Sequence, residues 1–300
     1  MKLAPALTLA LVALLSAGCP DASTGPGPAV APTNSASAAR AQPGLITSSP
    51  ALAEMVCALG AREHLLGVSR YCVYPPELDA LPRIGGIVDP NLEAIDALAP
   101  DHVLLQGKHE GLSALAQRRP WTLEHFKVDT VAEVRGALTR LGELLGRAGA
   151  AQAEVARLDA ALAEARAGAP AKAPRVLLVF GRKPGPLTQV PCVGRETFLS
   201  ELLEACGGEN ALEQTGYPLA SAEVLLARAP ELVIELSIEP LDAEARALLR
   251  ADWQSLPELP AVEQEAIAIA SGDHLLFPGP RLDQTLDKLG RVLAGERDVQ

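Results

Sequence analysis

From residue 44 onward the chain alternates short apolar runs with segments whose apolar residues recur every three or four positions. Leu45-Ile46-Thr47 predicts a strand, and Ala51 to Leu59 a helix. Leu65 to Val68 and Val103 to Leu105 predict two more strands, the second preceded by a short helix from Leu92 to Leu98. After residue 174 the pattern restarts: a strand over Val176 to Phe180, a helix over 195–206, another over 222–228, and a strand at Leu232-Val233-Ile234. Strands that alternate with amphipathic helices predict parallel α/β lobes.

The restart carries an internal repeat. Asn91 to Leu105 and Ser221 to Glu235 align at an offset of 130, with identities at Glu93/Glu223, Ala97/Ala227, Ala99/Ala229, Pro100/Pro230 and Val103/Val233. A second echo pairs Glu54, Ala58 and Gly60 with Glu201, Ala205 and Gly207. Two lobes built on one plan follow. Between them the apolar positions run Val131, Val134, Leu138, Leu141, Leu145, Ala148, Ala151, Val155, Leu158, Leu162, Ala165, a single helical stripe. Thr130 with Glu133 three places on reads as its capping box. If Gly142, Gly146 and Gly149 do not kink it, about 35 residues would make a strut of roughly 50 Å.

The amino terminus differs in kind. Lys2 precedes an apolar run from Leu3 to Leu15, too short for a bilayer span of about 20 residues. Residues 1–18 therefore read as a secretion signal. It ends Ser16-Ala17-Gly18-Cys19, which resembles a bacterial lipobox with Cys19 as the lipidated residue, although Ser16 stands where leucine is usual. Residues 19–42, rich in Pro, Ala, Ser and Thr, bury little and read as a flexible tether. The body then comprises an N-terminal lobe over 43–129, the connecting helix over 130–167 and a C-terminal lobe over 174–300.

A net charge of −11 argues against nucleic-acid binding. Four cysteines remain after Cys19, an even count that invites disulfides in an oxidising compartment. A bridge between Cys192 and Cys206 is disfavoured. They flank a helix that sets them roughly 15–20 Å apart, and a disulfide needs Cα atoms within about 7 Å. There is no HExxH, GxSxG, Walker loop or GxGxxG after a strand, so no enzyme is expected. Gly181-Arg182-Lys183-Pro184-Gly185 follows a strand and could meet an anionic ligand or be a solvated loop. The five histidines, His64, His102, His109, His125 and His274, each read as surface or core, although His109 follows a strand and could reach a cleft.

Several words, in order, carry a family resemblance: Leu45 to Glu54, Gly67-Val68-Ser69-Arg70-Tyr71-Cys72-Val73-Tyr74-Pro75-Pro76-Glu77, Ile84-Gly85-Gly86, Asp89 to Glu93, Cys206 to Asn210 and Pro278-Gly279-Pro280-Arg281. With the two-lobed pattern and the lipoprotein signal, the chain resembles the class III, helical-backbone substrate-binding proteins of ABC importers, nearest the cobalamin-binding branch. The resemblance spans about residues 43 to 295. It implies two Rossmann-like parallel-sheet lobes joined by one long helix, with the ligand in the cleft between them.

It further implies a monomer without a cofactor, held at a membrane by its lipid. Such a protein passes a corrinoid, ferric siderophore or haem to an ABC permease and ATPase complex. Tyr71 matches an aromatic that packs the corrin, and Tyr217 stands at a cleft aromatic. Gln106 lies where that relative has a nearby cleft tryptophan, and Leu187 replaces a phenylalanine. Cys72 and Cys192 fall in loops that would face the cleft, as lining thiols or a soft metal site, or are small buried cysteines. Glu93 and Glu223 match the glutamates that pair with permease arginines; the helix dipole would also favour them there. The alternatives are a free metal-ion binder of a related importer, a cell-surface enzyme and a structural lipoprotein.

Overall fold

The computed structural model describes residues 42–300 apart from positions 87 and 108. The predicted signal, Cys19 and nearly all of the tether lie outside the described residues. The N-terminal lobe comprises β1 (Leu45–Thr47), α1 (Pro50–Ala58), β2 (Leu65–Val68), α2 (Leu92–Ala97), β3 (His102–Gln106), α3 (Glu110–Ala116) and β4 (Thr122–Phe126). Its strands are all parallel, in the order β2-β1-β3-β4. Neighbouring residues on a strand face opposite sides, and both sides are covered. Leu45 and Leu104 pack with α1, whereas Ile46, Val103 and Leu105 pack with Ile95 of α2 and Leu112 of α3. Burial on both faces explains why these short strands read as unbroken apolar runs.

Two helices follow, α4 (Val131–Leu144) and α5 (Ala148–Ala167). Thr130 and Glu133 form the predicted capping box. The apolar stripe predicted one continuous helix over 130–167, and here the structure differs. The chain turns at 145–147, where Gly146 takes φ +64°, and α5 folds back along α4. Arg135 of α4 donates to Asp159 of α5 at 2.7 Å. A Cβ on Gly142 would lie 2.5 Å from that of Ala151, so only glycine permits the approach. The stripe ran on unbroken because each helix turns its apolar face to the same core. The long connecting helix is α5 alone, 20 residues and about 30 Å.

The C-terminal lobe comprises β5 (Arg175–Phe180), β6 (Val190–Pro191), α6 (Phe198–Ala205), β7 (Glu209–Asn210), β8 (Leu219–Ala220), α7 (Ala222–Arg228), β9 (Leu232–Ser237), α8 (Ala243–Trp253), α9 (Pro260–Glu263), β10 (Ile267–Ser271), α10 (Leu282–Leu293) and β11 (Asp298–Val299). Its main sheet is parallel, ordered β11-β10-β9-β5-β7, and β6 pairs antiparallel with β8. The repeat holds in atomic detail. Ala99 and Ala229 both take left-handed backbone, φ +44° and +42°, immediately before Pro100 and Pro230. The next residue in each copy holds the start of its lobe's first strand. Asp101 accepts from the Gly44 N–H at 2.6 Å, and Glu231 from the Arg175 N–H at 2.9 Å.

The lobes are locked at their junction by two glutamates, one from the first helix of each. Glu54 of α1 reaches Arg281, the residue before α10, through hydrogen bonds of 2.6 and 2.8 Å. Glu201 of α6 accepts from the Val131 N–H, the first residue of α4, at 2.8 Å. Both side chains of the first pair are buried, 3% and 9% exposed. Burial pushes the Glu54 carboxyl up, against the pull of the guanidinium. One apolar core passes beneath both lobes through Leu52, Leu138, Leu158, Phe198 and Leu282. No described helix is long and apolar enough to cross a membrane.

Arg281→Ala leaves a buried carboxylate without its partner, and we expect a loss of about 3–5 kcal/mol in urea unfolding. The double variant Glu54→Leu/Arg281→Met should recover most of that loss. A single-variant effect within about 0.5 kcal/mol, the scale of a surface change, would contradict the lock.

Candidate ligand-binding cleft

In open parallel α/β sheets, ligands bind beyond the carboxyl ends of the strands. The loops leaving those ends in the two lobes meet each other here. Tyr74, after β2, lies with its ring centre 4.0 Å from the Arg281 guanidinium. Tyr217, between β7 and β8, stacks edge-on against Phe180 at the end of β5, with centroids 5.4 Å apart. The main-chain carbonyl of Asp129, after β4, accepts the Phe198 N–H at 2.6 Å. Burial, with the charge of Asp129 second, pushes the Tyr217 phenol up to about 12. The residue is nonetheless 47% exposed, so it presents surface to solvent and keeps a neutral hydroxyl.

These loops hold most of the large apolar side chains that the body leaves exposed. Tyr71, Val73, Tyr74, Tyr217 and Ile238 are all among them, and apolar exposure concentrated at one place marks a binding surface. Tyr71 rests over Gly86, where a Cβ would come within 3.1 Å of its ring. Arg70 lies 5.5 Å from that ring and is ion-paired with Asp89. A cavity of ≈ 860 Å³ opens at the carboxyl ends of β3 and β4, lined by Gln106, His109, His125, Lys127 and Asp129 among others. Gln106 accepts the Ser49 hydroxyl at 2.8 Å. That contact fixes its carbonyl and leaves its amide N–H groups for a ligand.

The other expected ligand contacts are not at this surface. Cys72 is 1% exposed, Cys192 0% and Leu187 5%. Cys72 packs in the core shared by the lobes, Leu187 and Cys192 in the C-terminal lobe. Desolvation pushes both thiols up to about 12, so without a metal both stay protonated and unreactive. The reason is long-range. The β6–β8 ribbon folds the segment around Cys192 inward, and the Arg83 guanidinium binds the Cys72 carbonyl at 2.7 Å. Arg182 does not face a ligand either: it turns inward to Glu235 at 2.7 Å and Asp252 at 2.6 Å. All four described cysteines are free. Among the described residues, no three His, Cys, Asp or Glu side chains gather as a metal-ion site.

Glu93 and Glu223 are the second residues of α2 and α7. Asn91 and Ser221 cap those helices by accepting the N–H three residues on, from Ala94 and Val224. Both glutamates are exposed, and neither has an ion-pair partner among the described residues. Tyr74 and Lys127 carry no site signal in the sequence, and His125 reads there as a surface or core histidine. Only the close stacking on Arg281 and the pairing of β3 with β4 bring them into the site.

Two parallel α/β lobes locked at one junction, with an apolar cleft beyond their strand ends, define a two-lobed solute-binding protein. The chain belongs to the periplasmic binding protein family, whose sequence profile matches residues 45–253. It is 26% identical over 260 residues to a cobalamin-binding protein of Halobacterium salinarum, covering 83% of this chain and 68% of that one. It is 28% identical over 232 residues to the vitamin B12-binding protein of Salmonella typhimurium, covering 74% and 81%. Among solved structures, a periplasmic heme-binding protein from Pseudomonas aeruginosa superposes with a TM-score of 0.73 at 27% identity, covering 84% of this chain and 92% of that one.

The burial of Cys72 and Cys192 predicts that neither is alkylated by iodoacetamide in the native protein at pH 8, and that both react after unfolding in guanidinium. Peptide mapping by mass spectrometry checks this. Rapid native labelling of either thiol would return it to the list of ligand contacts.

Proposed function

We propose that this protein captures a metal-bearing macrocycle or chelate, such as cobalamin, haem or a ferric siderophore. It then delivers that cargo unchanged to an inner-membrane ABC permease. The observation that carries the reading is the pairing of an aromatic-rimmed cleft with two matched carboxylates, one on each lobe, that have no ion-pair partner among the described residues. Flat macrocycles are held by aromatic faces and a few polar groups, which Tyr71, Tyr74, Tyr217 and Gln106 supply. Glu93 and Glu223 occupy the same place in each copy of the repeat, so they suit a two-fold permease bearing arginines. Charges of this kind set encounter and register. Cys19, lipidated after removal of residues 1–18, would hold the monomer at the membrane on its tether, in the periplasm.

The lock at the lobe junction supports a small motion on binding. The permease would release cargo by prying the outer faces slightly apart rather than by a wide hinge opening. Relatives named for cobalamin and heme support the cargo class.

Calorimetric titration of the purified protein with cobalamin, ferric haem and ferric siderophores should give tight one-to-one binding of one of them. A folded protein that binds none would sink the proposal. The double variant Glu93→Ala/Glu223→Ala should keep that affinity within about twofold and abolish uptake in cells. Lost binding, or unchanged uptake, would remove the docking role.

A further inference from the structure

The cavity at the ends of β3 and β4 contains two histidines whose ring protons are fixed in opposite ways. At the start of α3, the Leu112 N–H donates to His109 Nδ1 at 3.1 Å. That nitrogen therefore supplies its lone pair to the helix, and the proton of the neutral ring sits on Nε2. His109 faces a ligand as a donor and cannot coordinate a metal through Nε2 while it caps α3. His125 is the reverse. Its Nδ1 lies 3.0 Å from the Gly107 carbonyl oxygen, and a carbonyl only accepts, so Nδ1 carries the proton. The lone pair is then on Nε2, which has no partner among the described residues.

A backbone carbonyl that orients an imidazole and raises its basicity is the usual support for a metal-binding histidine. The register sets it up: Leu105 pairs with His125 in the parallel ladder, so the turn after β3 brings the Gly107 carbonyl to the ring. Two residues beyond is Lys127, a cation that lines this cavity. It is exposed and has no ion-pair or hydrogen-bond partner among the described residues. Glu110 and Asp129 line the cavity as well, and Lys127 is the described group against which an anionic cargo would set its charge.

We infer that His125 ligates the metal of the cargo through Nε2, and that the cargo is a metal macrocycle with an open axial position and carboxylate side chains, a haem-type tetrapyrrole. This rests on the cleft reading above and narrows it. The Nε2 lone pair displaces an axial water from the metal; the water returns to solvent and no electron changes hands. A hexadentate siderophore leaves iron no position for the imidazole. A corrinoid with amide side chains offers Lys127 only the single charge of its nucleotide phosphate, whereas a haem offers two carboxylates. His109 contributes an N–H to the cargo's edge.

The test uses ferric protoporphyrin IX, metal-free protoporphyrin IX and cobalamin with the purified protein. Wild type should bind the ferric form at least about tenfold more tightly than the metal-free ring, with a Soret band and electron paramagnetic resonance signature of nitrogen ligation. His125→Ala should abolish both the preference and the signature, and added imidazole should restore the signature. Lys127→Gln should weaken ferric binding and leave the signature intact. His109→Ala should alter affinity without changing the coordination. If ferric haem binds wild type and His125→Ala with the same spectrum and affinity, the inference falls and the cleft reading stands. Tight binding of cobalamin alone has the same consequence. If none of the three probes nor a ferric siderophore binds, the cleft reading falls, and the inference with it.

Discussion

The buried pair of Glu54 and Arg281 is the constraint on which the rest of the architecture depends. It joins the first helix of one lobe to the last helix of the other, and Asp273 and the face of Tyr74 complete it. Two charges in a low-dielectric core are costly unless each keeps its partner. The lobes therefore cannot separate at this point without exposing or orphaning a charge. The cleft lies on the strand-end side of the pair, and Tyr74 belongs to both. The residue that lines the ligand surface is thus also packed on the lock.

The counterpart is Glu201, which reaches across to the first N–H of α4. Each lobe's first helix sends a glutamate to the start of a helix packed against the other lobe, which makes the junction reciprocal. This accounts for the second echo in the sequence. Glu54 and Glu201 cross the junction. Gly60 and Gly207, with φ of +67° and +86°, follow the last turn of α1 and α6 in the left-handed form that ends a helix. Ala58 and Ala205 are the last residues of those helices. Local geometry and long-range locking are thus written into the same few residues, twice.

The alternation of lobes, the offset of 130 and the positions of Glu93 and Glu223 were legible in the sequence, because strands buried on both faces and Ala-Pro turns leave local signatures. The turn between α4 and α5 was not. Helical spacing continues across 145–147 when both helices face one core, and Gly146 alone does not distinguish a kink from a reversal. Nor was the burial of Cys72, Cys192 and Leu187, which loops and a two-residue ribbon enforce through partners far along the chain. β4 carried no signal either. Thr122, Glu124 and His125 make a polar edge strand without alternation, and its register against β3 is what places His125 beside Gly107. Site residues that depend on pairing between strands are invisible until the sheet is known.

Under the proposed function, the lock and the carboxylates of Glu93 and Glu223 act at opposite ends of one mechanical problem. α2 and α7 lead directly into β3 and β9, strands in the interior of each sheet, so a force on either glutamate is delivered to a lobe as a rigid unit. The junction resists separation, and the cleft lies between the junction and the outer faces. A small tilt about the lock then moves the cleft walls while leaving Glu54, Arg281 and the shared core in contact. Under the same proposal, a cargo held between the Tyr217 ring on one side and Tyr71 or Gln106 on the other would lose the contacts of one wall under such a tilt. The same fixed junction that keeps the cleft formed, and so would spare a cargo the entropy of assembling it, would make a modest displacement at the rim sufficient for release.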